Sequence, residues 1–136
     1  MSGSPDLGRM KLLVAFFYLI AAPLFSPPGI AEDLITSLKQ GKASEVVKYF
    51  DEKVSVKIIQ QEDVLSRSQA EANLKYFFEK HPVKSFSATH KSSINNNSQY
   101  VTGTLETTNG KFRVSILIRH NLVSQFRLEE DNDWFY

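Results

Sequence analysis

The chain has 136 residues, 16 of them basic and 15 acidic, with a formal charge of +1 and no cysteine. So even a balance excludes the basic stripe with which nucleic-acid binders displace counterions. The lack of thiols excludes disulfides, Cys-ligated zinc, thiol catalysis and the lipid-modified cysteine of a bacterial lipoprotein.

In chain order, the first informative segment is Met10-Lys11 and the apolar run at residues 12–22 (LLVAFFYLIAA), followed by Pro23 and Ser26-Pro27-Pro28-Gly29. A short apolar run behind a basic flank, ending in breakers, has the build of a secretory signal peptide. It falls short of the roughly 20 residues that a membrane-spanning helix needs. A cleaved leader is therefore the first reading, ahead of an uncleaved anchor or a buried core helix. Arg9 and Lys11 supply the positive end that orients insertion, and Met10 offers an alternative start. Gly29-Ile30-Ala31 has small residues at the spacing of a cleavage site. Removal through Ala31 lowers the basic count from 16 to 14 and the acidic count from 15 to 14, leaving a neutral mature chain. About 105 residues then make one domain, and ten Phe predict an aromatic-rich core.

Ile30, Leu34, Ile35 and Leu38 form one helical stripe closed by Gly41. Residues 43–50 (ASEVVKYF) read as a second short helix, capped by Ser44. Val54-Ser55-Val56-Lys57-Ile58 alternates as a half-buried strand. Gln61-Glu62-Asp63 reads as a turn, and Val64-Leu65 as a brief strand. Ser66 with Gln69 and Ser68 with Glu71 make two overlapping capping boxes. The helix they open runs to about Lys80, with Ala70, Leu74, Phe77, Phe78 and His81 on one stripe, and Pro82 ends it. Four strands follow, at about residues 84–91, 99–107, 111–120 and 123–129. The tail, residues 131–136 (DNDWFY), either packs back onto the domain or hangs free.

Asn109-Gly110 is a strong hairpin signal. Taken as a two-residue loop, it sets Leu105 opposite Val114 and Gly103 opposite Ile116. Phe112, Val114, Ile116 and Ile118 then share an apolar face with Val101 and Leu105, joined by Phe86, Ala88, Phe126 and Leu128. Pairing Ile116 with Phe126 requires an odd-length, bulged turn around His120-Asn121-Leu122. The other face carries Arg113, Ser115, Leu117, Arg119 and Arg127 among Thr, Gln and Glu, as in an antiparallel sheet covered on one side.

This partition bears on chemistry. A catalytic pocket under the helices needs titratable groups on the inward face, and only His90 and His120 fall there. They stand two strands, about 9–10 Å, apart, too far to share one metal. Asp51 and Asp63 read as turn residues. There is no His-x-x-x-His pair, Gly-rich phosphate loop or Gly-x-Ser-x-Gly elbow. No catalytic residue, cofactor or metal is assigned.

Residues 38–50 (LKQGKASEVVKYF), 68–82 (SQAEANLKYFFEKHP) and 103–116 (GTLETTNGKFRVSI) carry a resemblance. Together with the order of elements, they resemble a family of small exported bacterial proteins with the nuclear-transport-factor-2-like (cystatin-like) fold. The resemblance spans about residues 30–130. It implies an α+β cone, N-terminal helices packed on a curved antiparallel sheet, and it brings no assigned activity. The wider fold includes isomerases and dehydratases, whose catalytic motifs have no match here.

The expectation is thus a leader with its upstream extension at 1–29, a domain at 30–130 and a tail at 131–136. The mature domain is expected in the periplasm or secreted, as a non-enzymatic binding or assembly module of the envelope. Membrane contact runs only through an uncleaved leader. A homodimer or partner contact is placed on the outer sheet at Arg113, Ser115, Leu117 and Arg127. The alternative is a site for a small apolar ligand or an enzymatic site at the cone mouth, with Tyr49, Tyr76, His90, Tyr100 and His120 as candidates. A pocket of about 300 Å³ or more holding two of these would favour that alternative. A cone filled by Phe77, Phe78, Phe86, Phe112 and Phe126 would count against it.

Overall fold

The computed structural model describes residues 29–131, so the apolar leader run and residues 132–136 of the tail lie outside the described residues. Helix α1 (Ile30–Gln40) presents Ala31, Leu34, Ile35 and Leu38 to the core, the stripe that the sequence spacing predicts. Gly41 ends it at φ +66°, with its N–H donating to the carbonyls of Ser37 and Leu38. A side chain at Gly41 would be strained by that left-handed angle and would meet Val83. Helix α2 is a single turn (Ala43–Val46) that tightens into a 3₁₀ turn (Val47–Tyr49). The predicted second helix is thus shortened, because Phe50 already begins strand β1 (Phe50–Ile58).

The chain then turns earlier than Gln61-Glu62-Asp63. Ile59 and Gln60 make the turn, and Gln61, Glu62 and Asp63 belong to strand β2 (Gln61–Ser66), which pairs along β1 from Ile58↔Gln61 to Lys53↔Ser66. Ile59 adopts φ +60°, a genuine outlier for a β-branched residue. Its N–H donates to Leu128 O at 2.7 Å.

Helix α3 (Arg67–Lys80) opens with the first of the two predicted capping boxes. Ser66 Oγ accepts from the Gln69 N–H and Gln69 Oε1 accepts from the Ser66 N–H. Ala70, Leu74, Phe77 and Phe78 are buried. The helix stops at His81, whose ring stacks on Phe77 at 4.4 Å and meets Phe112 edge-on at 5.2 Å.

Strands β3 (Val83–Asn95), β4 (Ser98–Thr107), β5 (Gly110–Arg119) and β6 (Leu122–Glu130) form the predicted meander. The six-stranded sheet has the order β2-β1-β6-β5-β4-β3. It is mixed, since β6 returns beside β1 in the parallel sense while every other neighbour is antiparallel. Irregularities in the β3–β4, β5–β6 and β1–β6 pairings bend the strands.

The β4–β5 register is two residues from the predicted one. Thr107 pairs with Gly110 and Leu105 with Phe112, so Thr108 and Asn109 are the turn residues. The reason is local. Thr107 Oγ1 accepts from the Asn109 N–H and donates to Gly110 O, and the Asn109 side-chain amide donates to Lys80 O, which ties the turn to the end of α3. Because side chains alternate with period two, a shift of two leaves both faces as predicted. Ile116 does pair with Phe126. The odd residue sits in a bulge of the β5–β6 ladder, while His120 (φ +52°) and Asn121 (φ +62°) form an ordinary two-residue turn.

Candidate functional site

The cone interior is filled. Phe77, Phe78, Phe86, Phe112 and Phe126 are all buried, with Leu74, Leu105, Val114, Ile116 and Leu128 between them. Phe77 meets Phe112 edge-on at 5.1 Å, and Phe50 packs on Phe126 at 5.6 Å.

The open space lies to one side, between α3 and the β1–β2 hairpin, as a cleft of about 490 Å³. Three stretches build it. The inward positions of β1 give Val56 and Ile58. The residues of β2 that pair with inward positions of β1 give Gln61, Asp63 and Leu65. Helix α3 gives Asn73, Tyr76, Phe77 and Lys80, with His81 just beyond it, one helical face at i, i+3, i+4, i+7 and i+8. Ile59 and Gln60 close the end at the hairpin turn. Lys80 Nζ sits 4.6 Å above the Tyr76 ring, and Tyr76 is 60% exposed at the rim. The result is an aliphatic and aromatic floor with a carboxylate, an ammonium and amides around it.

Of the five candidate residues, only Tyr76 lines this cleft. Tyr49 packs half-buried against the core. Tyr100 lies on the outer face opposite Leu117 and borders a separate hollow of about 210 Å³ beside Gly29, Ala31 and Lys91. His90 does not face inward, which corrects the sequence reading. A bulge between Ala88 and His90 carries it to pair with Thr102, an outer-face residue, and it is exposed. His120 is likewise exposed, at the β5–β6 turn. The depression near it, about 510 Å³, is bordered by polar residues such as Asn95, Asn97 and Arg119 and is open to solvent. The structure therefore does not bring the five together.

Sequence reasoning missed Asp63, Ile59 and Lys80. Placing Gln61-Glu62-Asp63 in a turn hid the inward alternation of Gln61, Asp63 and Leu65. The Tyr76–Lys80 spacing on α3 was a usable signal.

On the outer face, charges answer one another across strands. Arg127 pairs with Glu129 at 3.1 Å and Glu62 at 3.3 Å, Lys57 with Glu129 at 3.5 Å, Lys111 with Glu106 at 3.3 Å and Arg113 with Asp131 at 3.9 Å. Glu129 titrates below the usual carboxylate range because Arg127 hydrogen-bonds its ionised form. Glu106 does so because Lys111 and Ser85 hydrogen-bond its own. Ser115 and Leu117 sit half-buried between these pairs. Among the described residues, no cluster of three His, Cys, Asp or Glu could hold a metal ion, and no helix is long and apolar enough to cross a membrane.

Helices cradled on one face of a curled mixed sheet define the cystatin-like, nuclear-transport-factor-2-like class of α+β folds. A cystatin-like domain of unknown function from Nostoc punctiforme superposes with a TM-score of 0.59 at 8% identity, over 74% of this chain and 72% of that one. At that identity the likeness shows the fold alone. Residues 31–130 match the family described as domain of unknown function (DUF4783), and the chain belongs to that family. The crystal structure of a family protein from Bacteroides uniformis shares 31% identity at a TM-score of 0.71, covering 75% of this chain and 97% of that one. One from Bacteroides ovatus shares 32% at 0.69, covering 74% and 94%. No curated protein matches the chain.

Proposed function

We propose that the chain is exported and that its mature domain is a non-enzymatic binding module of the bacterial envelope, with the cleft between α3 and the β1–β2 hairpin as its site. One observation carries this reading. A cleft of about 490 Å³ has the size of a small-ligand pocket, roughly 300–1,000 Å³, and its floor is Val56, Ile58, Ile59, Leu65 and Phe77. Such a floor takes an apolar body, and Asp63, Asn73 and Lys80 can orient one polar group on it. Ile59 supports the reading further. Left-handed angles at a β-branched residue cost about 1–3 kcal/mol and cluster at ligand sites. The outer face pairs Lys57, Arg113, Lys111 and Arg127 with acids of the same chain, so it offers a weaker handle. Export rests on the apolar run behind Arg9 and Lys11.

The test is titration of the amphiphilic fluorophore 1-anilinonaphthalene-8-sulfonate. It is run on the intact chain and on a form ending at Asp131, which keeps every described strand. Saturable binding to the shortened form is expected. Leu65→Arg should weaken it at least about tenfold, a loss of about 1.4 kcal/mol, while Leu117→Arg on the outer face leaves it unchanged. Equal effects of the two substitutions, or no binding to the shortened form, would overturn the proposal.

A further inference from the structure

From the open edge of the sheet beside the cleft, we infer that the partner is an extended peptide segment that pairs with β2 as an added strand. It is apolar at alternate positions and carries a basic residue. This deepens the cleft reading and rests on it. The edges of the sheet are β2 and β3. Exposed edges are normally blunted by lysine, proline, bulges or a cover. Strand β3 is blunted. Its 13 residues break register with β4 between Val83 and Ser85, Ala88 and His90, and Ser93 and Asn95. Lys84 and Lys91 stand on it, and Lys91 is paired with Glu32 of α1. Strand β2 has no lysine, proline or bulge. Gln61 to Ser66 pair with β1 in unbroken register, and Val64 is 66% exposed. Among the described residues no strand takes the other side of β2.

The same strand forms one wall of the cleft, which Gln61, Asp63 and Leu65 line at every second position. A strand added about 4.8 Å beyond β2 would set alternate side chains beside these three, with Asn73 and Tyr76 of α3 on the facing wall. Main-chain hydrogen bonds then supply affinity, and the side chains that enter the cleft supply specificity. The floor of Val56, Ile58, Leu65 and Phe77 calls for apolar residues at those positions. Charge selects the rest. Both ionisable side chains of β2 are acidic, Glu62 and Asp63. Glu62 is engaged by Arg127 at 3.3 Å on the outer face, whereas Asp63 lines the cleft and makes no ion pair among the described residues. A base beside Asp63 completes it, and Lys80 on α3 keeps that base to the β2 side. A second copy of the chain fits poorly. Antiparallel pairing of β2 with itself brings the two carboxylates of each copy into one short ladder without a base.

The probe is a labelled peptide of about six residues, a common strand length, blocked at both ends and alternating valine with lysine and threonine. Two further versions carry N-methyl groups on the amides of one edge or of the other. Fluorescence anisotropy with the intact chain should show saturable binding that competes with the fluorophore. Methylation of one edge should weaken binding at least about tenfold, and methylation of the other should change it little. Hydrogen–deuterium exchange at residues 61–66 should slow several-fold in the complex. Asp63 is exposed, so Asp63→Lys spares the core. It should weaken the lysine peptide several-fold and favour a peptide with glutamate in place of lysine, while Leu117→Arg on the outer face changes neither. Equal binding of the two methylated versions, no slowing at residues 61–66, or a dimer of the chain that the peptide dissociates would overturn the inference. Saturable fluorophore binding without peptide binding would also overturn it and leave the cleft reading standing. Failure of both probes would remove the cleft reading itself.

Discussion

Gly103 shows how little room a single position leaves. A Cβ there would lie 2.5 Å from the Phe86 ring and 2.6 Å from the Ser87 carbonyl oxygen. Phe86 lies over the bare glycine backbone, so the sheet can bend where an ordinary side chain would prop it open. Gly103→Ala should therefore destabilise by about 1–3 kcal/mol, the range for overpacking a filled core, and urea unfolding would measure it. An unchanged midpoint would mean that the sheet relaxes freely at this point. His90 gives the complementary lesson. Simple alternation from Phe86 and Ala88 puts it inside, and the unpaired residue just before it, Thr89, puts it outside. Thr89 Oγ1 donates to Thr102 O at 3.2 Å across the bulge, and nothing in the local spacing announces that choice.

Among the elements, α3 was the most legible. Its stripe, its stop at His81-Pro82 and its capping all follow from short-range chemistry. The sequence offers two capping boxes, but a helix has one start. Ser66 stands at extended angles, φ −72° and ψ 165°, with both reciprocal bonds made, whereas Ser68 lies in the first turn. Ser66→Ala should then cost about 1 kcal/mol, and Ser68→Ala should stay within about 0.5 kcal/mol, as surface substitutions do. Chemical denaturation of the two variants distinguishes them, and equal losses would mean the cap is shared. The β1–β2 hairpin was less legible. Ile59 is a residue that no turn rule selects, and it holds its left-handed angle because its N–H is claimed by Leu128 on β6. Misplacing that turn concealed one wall of the cleft.

At the scale of the whole molecule, the outer face carries one linked group of ion pairs, Glu62–Arg127–Glu129–Lys57, beside the pairs Arg113–Asp131 and Lys111–Glu106. Glu106 and Glu129 have folded values below the ordinary 4.5. Their contribution is therefore complete above that pH and is lost as the pH falls through the lowered values. Melting temperature should fall from about pH 5 downward, less steeply in Glu129→Gln and in high salt, because exposed pairs are screened. An acid limb identical in the variant would remove Glu129 from the account.

Sequence alone determined the class of fold, the helical stripes and the division of the sheet into an oily and a wet face. The stripes and the two faces depend on side-chain periodicity, which survives even a register error of two residues, whereas the class of fold is what the family resemblance implied. Only the tertiary structure decided the parallel β1–β6 junction, the turn at Ile59 and the side on which His90 emerges. It also decided that open space lies beside α3 rather than inside the cone. Those outcomes depend on which distant strand supplies the next hydrogen-bond partner, and spacing along one strand carries no record of its neighbour.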